Sequence, residues 1–267
     1  MDHSGYLGAL AAGFARLRTV ATGDLTAAVP TCPGWDAADL TRHVGEVYLH
    51  KTLAMREGAE PEPWPPAELA AEEPLALLDR AYAGLLAEFA SRDPRDAAGS
   101  WYAPDQTVGF WIRRMAHETV IHRIDAELAA GQPLAPVPDD LAADGIDELL
   151  KVFVAYGVAE WGEYFTGILD GSPGRTFLIR ADATDGKAAD ARPARAWRVR
   201  TGPGLFEVED VRAASEATSD VTLSGPPAEV LRHLWNREDE THPARVHVRG
   251  PREAAEELRH CVVTATQ

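Results

Sequence analysis

Between Arg114 and Asp125 the chain reads Arg-Met-Ala-His-Glu-Thr-Val-Ile-His-Arg-Ile-Asp, which places charge where a helix of a soluble protein needs apolar surface. At about 100° per residue, Arg114, Glu118, His122 and Asp125 fall on one narrow arc. Phe110, Ile121 and Leu128 border that arc on one side and Met115 on the other, with Trp111 inside it. Arg113, Arg123 and Glu127 lie on a different arc, expected to be the wet face. Charges on an apolar face persist only when paired with one another or bound to a metal. Two arrangements meet that demand. One is a self-contained Arg114–Glu118–His122–Asp125 ion-pair ladder. The other is a metal gripped by Glu118 and His122, which stand one helical turn apart on the same face.

The segments around this one read as further helices. Leu7, Leu10, Phe14 and Leu17 have helical spacing over 4–24, with Asp2 or Ser4 as cap. After a turn at Pro30-Thr-Cys-Pro-Gly34, Leu40, Val44, Val47 and Tyr48 form the stripe of a second helix over 36–57. The proline-rich Glu60-Pro-Glu-Pro-Trp-Pro-Pro66 must be a loop. A third helix is expected over 74–91, the fourth over 107–130 and a fifth over 139–163. Past Asp170-Gly-Ser-Pro-Gly174 short alternating stretches take over, at 175–181, 196–200, 205–210, 220–223 and 245–248. Thr201-Gly-Pro-Gly204 reads as a hairpin turn, and short helices fit 226–236 and 251–261. The fold class is therefore α+β, with a helical bundle over 1–168 and a small α+β domain over 169–267.

Composition narrows the function classes. A net charge of −16 argues against nucleic acid, whose phosphates call for a basic surface. No apolar run approaches the roughly 20 residues that span a bilayer. The N-terminal Met-Asp-His-Ser-Gly lacks a basic region followed by an apolar core, so no export signal is expected and a cytoplasmic location is the default. Cys32 and Cys261 are far apart and form no CxxC pair, which indicates neither a disulfide framework nor a thiolate zinc site.

A catalytic zinc site takes about three protein ligands and keeps a position open. The best third candidate is His43, at the edge of the second helix's apolar stripe beside Val47, because helices two and four of a bundle can both face its core. His50, two turns on, competes for that role, and His117 points about 100° from Glu118, as packing or as a donor to a ligand. Arg114 and Asp125 suit support of the ligands. Asp125 is not expected to hydrogen-bond within its own helix, and Arg114 can instead clamp a cofactor or substrate carboxylate. Cys32 beside Pro33 reads as a small buried packing residue, and Trp35 as an anchor for the turn. Arg192, Arg195, Arg198 and Arg200 read as a wet strand face, with an anion-binding cleft as the alternative.

Val29-Pro-Thr-Cys-Pro-Gly-Trp35 followed by Asp39-Leu-Thr-Arg-His43, together with Glu118-xxx-His122-Arg-xx-Asp125, resembles the mycothiol-dependent maleylpyruvate isomerase family, part of the wider DinB-like bundle group. The likeness runs through most of the first 165 residues. It continues more loosely through Trp197–Arg200, Ser224-Gly-Pro-Pro-Ala228 and Val248-Arg-Gly-Pro251, which are similar to that family's small sterol-carrier-like domain. The resemblance implies a DinB-like four-helix bundle and a zinc, or another divalent metal, held by His43, Glu118 and His122. It also implies mycothiol as thiol cofactor and a small electrophilic substrate. Mycothiol is an actinobacterial thiol, which agrees with a chain holding only three lysines, Lys51, Lys151 and Lys187. The implied activity is a thiol-dependent isomerase or transferase. A hydrolase using metal-bound water and a non-catalytic ligand-binding bundle are the alternatives.

Overall fold

The computed structural model describes residues 1–182, 195–212 and 218–266. It forms two compact units that divide between Ala135 and Pro136.

The first unit is a four-helix bundle: α1 (His3–Ala21), α2 (Ala37–Glu57), α3 (Pro74–Ala90) and α4 (Val108–Ala129). Each start follows from local chemistry. Asp2 accepts the Gly5 N–H at 2.8 Å. Asp36 and Asp39 form a reciprocal capping box on α2, and Thr107 caps α4 by accepting from Phe110 at 3.2 Å. Pro74 occupies the first position of α3, where its missing N–H costs nothing. Helix α2 ends at Gly58, whose φ of 68° is the left-handed cap that glycine adopts without strain.

Helix α1 packs on α4 and α2 on α3, and α2 also meets α4. Small residues set both close pairings. A Cβ on Gly45 would lie 3.0 Å from the backbone nitrogen of Leu78, and one on Gly13 3.0 Å from the Thr119 methyl. Leu10, Val44, Tyr48, Leu77, Leu85 and Trp111 fill the interior with no exposed surface.

Helix α4 is buried nearly all round, which corrects the expected wet face. Arg123 and Glu127 are 4% and 0% exposed, and only Arg113 of that arc is half-buried. Their partners come from outside the helix. Glu127 accepts from Arg123 at 3.0 Å, from Arg16 of α1 at 2.8 Å and from the Ala135 N–H at 3.2 Å, while Arg123 also donates to the Ala135 carbonyl at 2.6 Å. Removing one member of a buried pair strands the other charge. Glu127→Ala is therefore expected to destabilise the chain by about 3–5 kcal/mol, read as a lower urea midpoint at unchanged slope, with a much smaller effect for exposed Glu57→Ala.

The second unit begins with α5 (Asp139–Glu148), a π-helical segment (Leu149–Ala155) and α6 (Tyr156–Glu160). The expected helix over 139–163 thus widens in its middle and stops early. Trp161 leaves helical conformation at φ −131°, ψ 43°, a short 3-10 turn (Gly162–Phe165) follows, and the buried Phe165 returns its ring against Gly157. After α7 (Thr166–Leu169) come β1 (Arg175–Ala181), β2 (Arg195–Gly202), β3 (Leu205–Arg212), β4 (Val221–Gly225), α8 (Pro227–Leu234), β5 (His247–Arg249) and α9 (Arg252–Thr266). The described strands form one sheet in the order β3-β2-β1-β4-β5, antiparallel except for the parallel β1–β4 pair. Pro203 and Gly204, the latter at φ 63°, make the turn between β2 and β3. Glu257 of α9 accepts from Thr201 at 2.5 Å, Ser172 at 3.0 Å and Arg175 at 3.0 Å, tying that helix to the sheet.

The compact units part well before the boundary expected at 168/169. The change of sequence texture marks where strands begin, whereas the helical segment before them packs with α8, α9 and β3 and belongs to the second unit. No helix among the described residues is long and apolar enough to cross a membrane.

Candidate metal centre

Helix α2 brings His43 to the face of α4 that carries Glu118 and His122. The Glu118 Oε1 atom lies 3.1 Å from His122 Nε2 and 3.6 Å from His43 Nε2, and the two imidazole rings are 4.9 Å apart. One donor atom from each of the three residues lies within 4.8 Å of the other two, the one such group of three among the described residues. Ligands about 2.0–2.1 Å from a tetrahedral zinc stand about 3.3 Å from each other, close to the two shorter separations. The donor set, two imidazoles and a carboxylate, is that of a catalytic rather than a structural zinc site. The residues present therefore fit the ion. The side chains of Glu118 and His122 are 12% and 10% exposed, while that of His43 is 36% exposed, so the centre opens to solvent on the His43 side.

The surrounding groups fix each ligand. Arg114, itself buried, donates through Nη2 to Glu118 Oε2, leaving Oε1 for the imidazoles. Asp125 Oδ2 lies 2.9 Å from His122 Nδ1, so the direct bond within one helix does form, contrary to the sequence expectation. It is possible because residues three apart face one another when the aspartate is wholly buried. Thr31, from the turn before α2, donates to Asp125 Oδ1 at 2.5 Å. Nothing in the local pattern pointed to Thr31; the contact spans 94 positions. Trp35 places its ring 5.0 Å from that of His43, so it supports a candidate ligand as well as the turn.

Burial pushes the Glu118 carboxyl up, but the charges of Arg114 and His122 and the adjacent His122 and His43 imidazoles outweigh it and hold the group well below the usual carboxylate range. Burial likewise pulls His122 down, yet Glu118 and Asp125 reverse this and raise it to about 9. Arg114, Glu118, His122 and Asp125 are thus linked as a ladder, with His43 beside it.

The competing histidines lie elsewhere. His50 pairs with Glu60 at 2.9 Å and meets the Trp64 ring edge-on, which locks the proline-rich loop to α2. His117 is buried with its ring against Tyr6 of α1. Cys32 is half-buried rather than buried, at the surface of its turn, and neither cysteine is in a disulfide. Of the arginines in the second unit, Arg192 falls outside the described residues. Arg198 and Arg200 pair with the residues directly opposite them on β3, Glu209 at 3.0 Å and Glu207 at 2.8 Å, and Arg195 pairs with Asp147 at 3.0 Å. Each positive charge on that strand already has a carboxylate beside it.

A helical bundle with three converging imidazole and carboxylate donors, followed by an α+β unit on a mixed sheet, defines the class. The family model described as the mycothiol maleylpyruvate isomerase N-terminal domain matches residues 7–127, and the one described as the MDMPI C-terminal domain matches 140–257. The chain belongs to the mycothiol-dependent maleylpyruvate isomerase family. The two matches flank the division at Ala135. Among solved structures, a crystal structure of the mycothiol-dependent maleylpyruvate isomerase is similar at 13% identity, with a TM-score of 0.58, covering 90% of this chain and 91% of that one. At that identity the likeness is one of fold. No curated protein matches the chain.

Elemental analysis after supplying zinc is expected to give about one ion per chain, retained in His50→Ala and His117→Ala and lost in His43→Ala/His122→Ala. Equal metal content in all four proteins would place the ion elsewhere.

Proposed function

We infer that the chain is a zinc-dependent, mycothiol-using enzyme that isomerises a small electrophile or transfers a thiol to it. The observation that carries this is the convergence of His43, Glu118 and His122 from two helices onto one point. Membership of the family supports the choice of thiol. An ion-pair ladder leaves His43 at its edge, 3.6 Å from Glu118 Oε1, whereas a metal centre uses it as a ligand.

His43, Glu118 and His122 together carry one negative charge when both imidazoles are neutral, so a divalent ion among them keeps one net positive charge. That charge favours an anionic sulfur over neutral water. Zinc held by His43, Glu118 and His122 would supply the Lewis acidity that keeps a thiol as thiolate near neutral pH, and a thiolate of that kind can add reversibly to a conjugated double bond and so permit rotation about it. The chain's own residues do the rest. Arg114 holds the second oxygen of Glu118, so that carboxylate cannot swing away. Asp125 accepts a hydrogen bond from His122 Nδ1–H and keeps Nε2 toward the centre. Arg114 is only 7% exposed along its side chain and already engaged, so its proposed role is to orient Glu118 rather than to clamp cofactor or substrate. The exposed edge at His43 is where thiol and electrophile would enter.

Maleylpyruvate, which names the family, serves as the first probe. Zinc-loaded protein is expected to turn it over only with added mycothiol, and Glu118→Ala to fall to the uncatalysed background. Thiol-indifferent cleavage of the probe with uptake of water would instead establish a hydrolase using metal-bound water. Zinc binding with no turnover of any conjugated electrophile tried would leave a binding module.

A further inference from the structure

The turn from Val29 to Trp35 is closed by its own backbone bonds: Val29 N–H to the Trp35 carbonyl at 2.9 Å, Cys32 to Val29 at 3.1 Å and Trp35 to Cys32 at 3.0 Å. A turn closed in this way presents its side chains from a fixed frame. One of them, Thr31, is 9% exposed and spends its hydroxyl proton on Asp125 Oδ1 at 2.5 Å. Asp125 is wholly buried, and its other oxygen lies 2.9 Å from His122 Nδ1. A buried carboxylate bonded through both oxygens has little freedom to rotate. An imidazole whose Nδ1 faces that acceptor keeps its proton there and, when neutral, carries its lone pair on Nε2. Nε2 is the His122 atom 3.1 Å from Glu118 Oε1, within the donor cluster.

We propose that Thr31 is a positioning residue of the metal centre: through Asp125 it fixes the ring plane and tautomer of His122. This rests on the metal-dependent function inferred above. Trp35, on the same turn, lies against His43. One short turn ahead of α2 therefore braces an imidazole on each of two helices. The side chain needed at 31 is a hydroxyl donor of small size, which explains threonine where a closed, half-buried turn accepts many residues.

The test compares wild type with Thr31→Ser, Thr31→Val, Asp125→Asn and the Thr31→Val/Asp125→Asn pair, each first shown to be folded by circular dichroism. Zinc affinity is measured by competition with a chromophoric chelator, and the protonated ring nitrogen of His122 is identified in the zinc-loaded proteins by 15N NMR. Valine keeps the shape of threonine and removes the donor; serine keeps the donor. Thr31→Val is expected to weaken zinc by about 10–100-fold and to disturb the His122 Nδ1–H signal, while Thr31→Ser stays close to wild type. The pair is expected to bind no more weakly than Asp125→Asn alone, because both changes remove one device. Unchanged affinity in Thr31→Val, with zinc bound normally by wild type, overturns the relay and leaves the metal centre standing. Equal losses in the serine and valine variants overturn it in favour of packing. Absence of zinc binding in wild type removes the metal reading and the relay with it.

Discussion

Helix α4 carries Glu118, Asp125 and Glu127 into the interior of the bundle, and the first unit is arranged around satisfying them. Taking a carboxylate out of water costs several kcal/mol even after relaxation, of the same order as the 5–15 kcal/mol that holds an entire domain folded. Each must therefore meet a cation or a set of donors in the native arrangement. Glu127 draws in Arg16 of α1 and the Ala135 N–H beyond its own helix. Asp125 draws in the turn before α2 through Thr31, and Glu118 faces His43 of α2. A slip of α4 by one residue would break all three sets together. Apolar packing alone tolerates many registers better than this.

The same charges explain why a ladder and a metal centre are not competing structures. His122 lies between two carboxylates that raise it to about 9, with its Nε2 toward the point where the three donors converge. His43 is the informative residue. At 3.6 Å from Glu118 Oε1 its nitrogen is beyond a good hydrogen bond, yet at a separation suited to two ligands of one ion. Exchange of a proton for a divalent cation at that point needs no new partner for Arg114, Asp125 or Thr31.

Much of this was legible in the sequence where the determinants are local. Helix ranges followed from apolar spacing, with the caps Asp2, Asp36 and Thr107 and the Pro74 start falling at or beside their expected ends, and the candidate ligands from one helical face plus the motif around His43. The misread features depend on contacts between distant residues. Arg123 and Glu127 have the period of a wet face, and only Arg16 and the return of the chain at Ala135 make them interior. Thr31 carries no pattern of its own. The strands at 175–212 were visible as alternation, but alternation cannot show that the helices before them pack on that sheet, so the division at Ala135 was invisible. The break at Trp161 likewise depends on Phe165 finding Gly157.

The three candidate ligands are held to different degrees, and this shapes what the centre can do. Glu118 and His122 lie one turn apart on a buried helix and are each fixed by a bonded neighbour, so together they form a rigid two-point platform. His43 comes from a different helix, is more exposed and is backed by the tilted Trp35 ring rather than a hydrogen-bonded carboxylate. An ion among the three would therefore join α2 to α4 through its least restrained ligand. Binding free energy in such an arrangement adds to the contact between those helices, because an ion held only by the native geometry stabilises that geometry by mass action. The less restrained, solvent-facing ligand also leaves the side of the centre where, in the proposed reaction, a sulfur and an electrophile would meet as the part with room to adjust. The rigid pair on α4 would keep an ion in place during such an exchange.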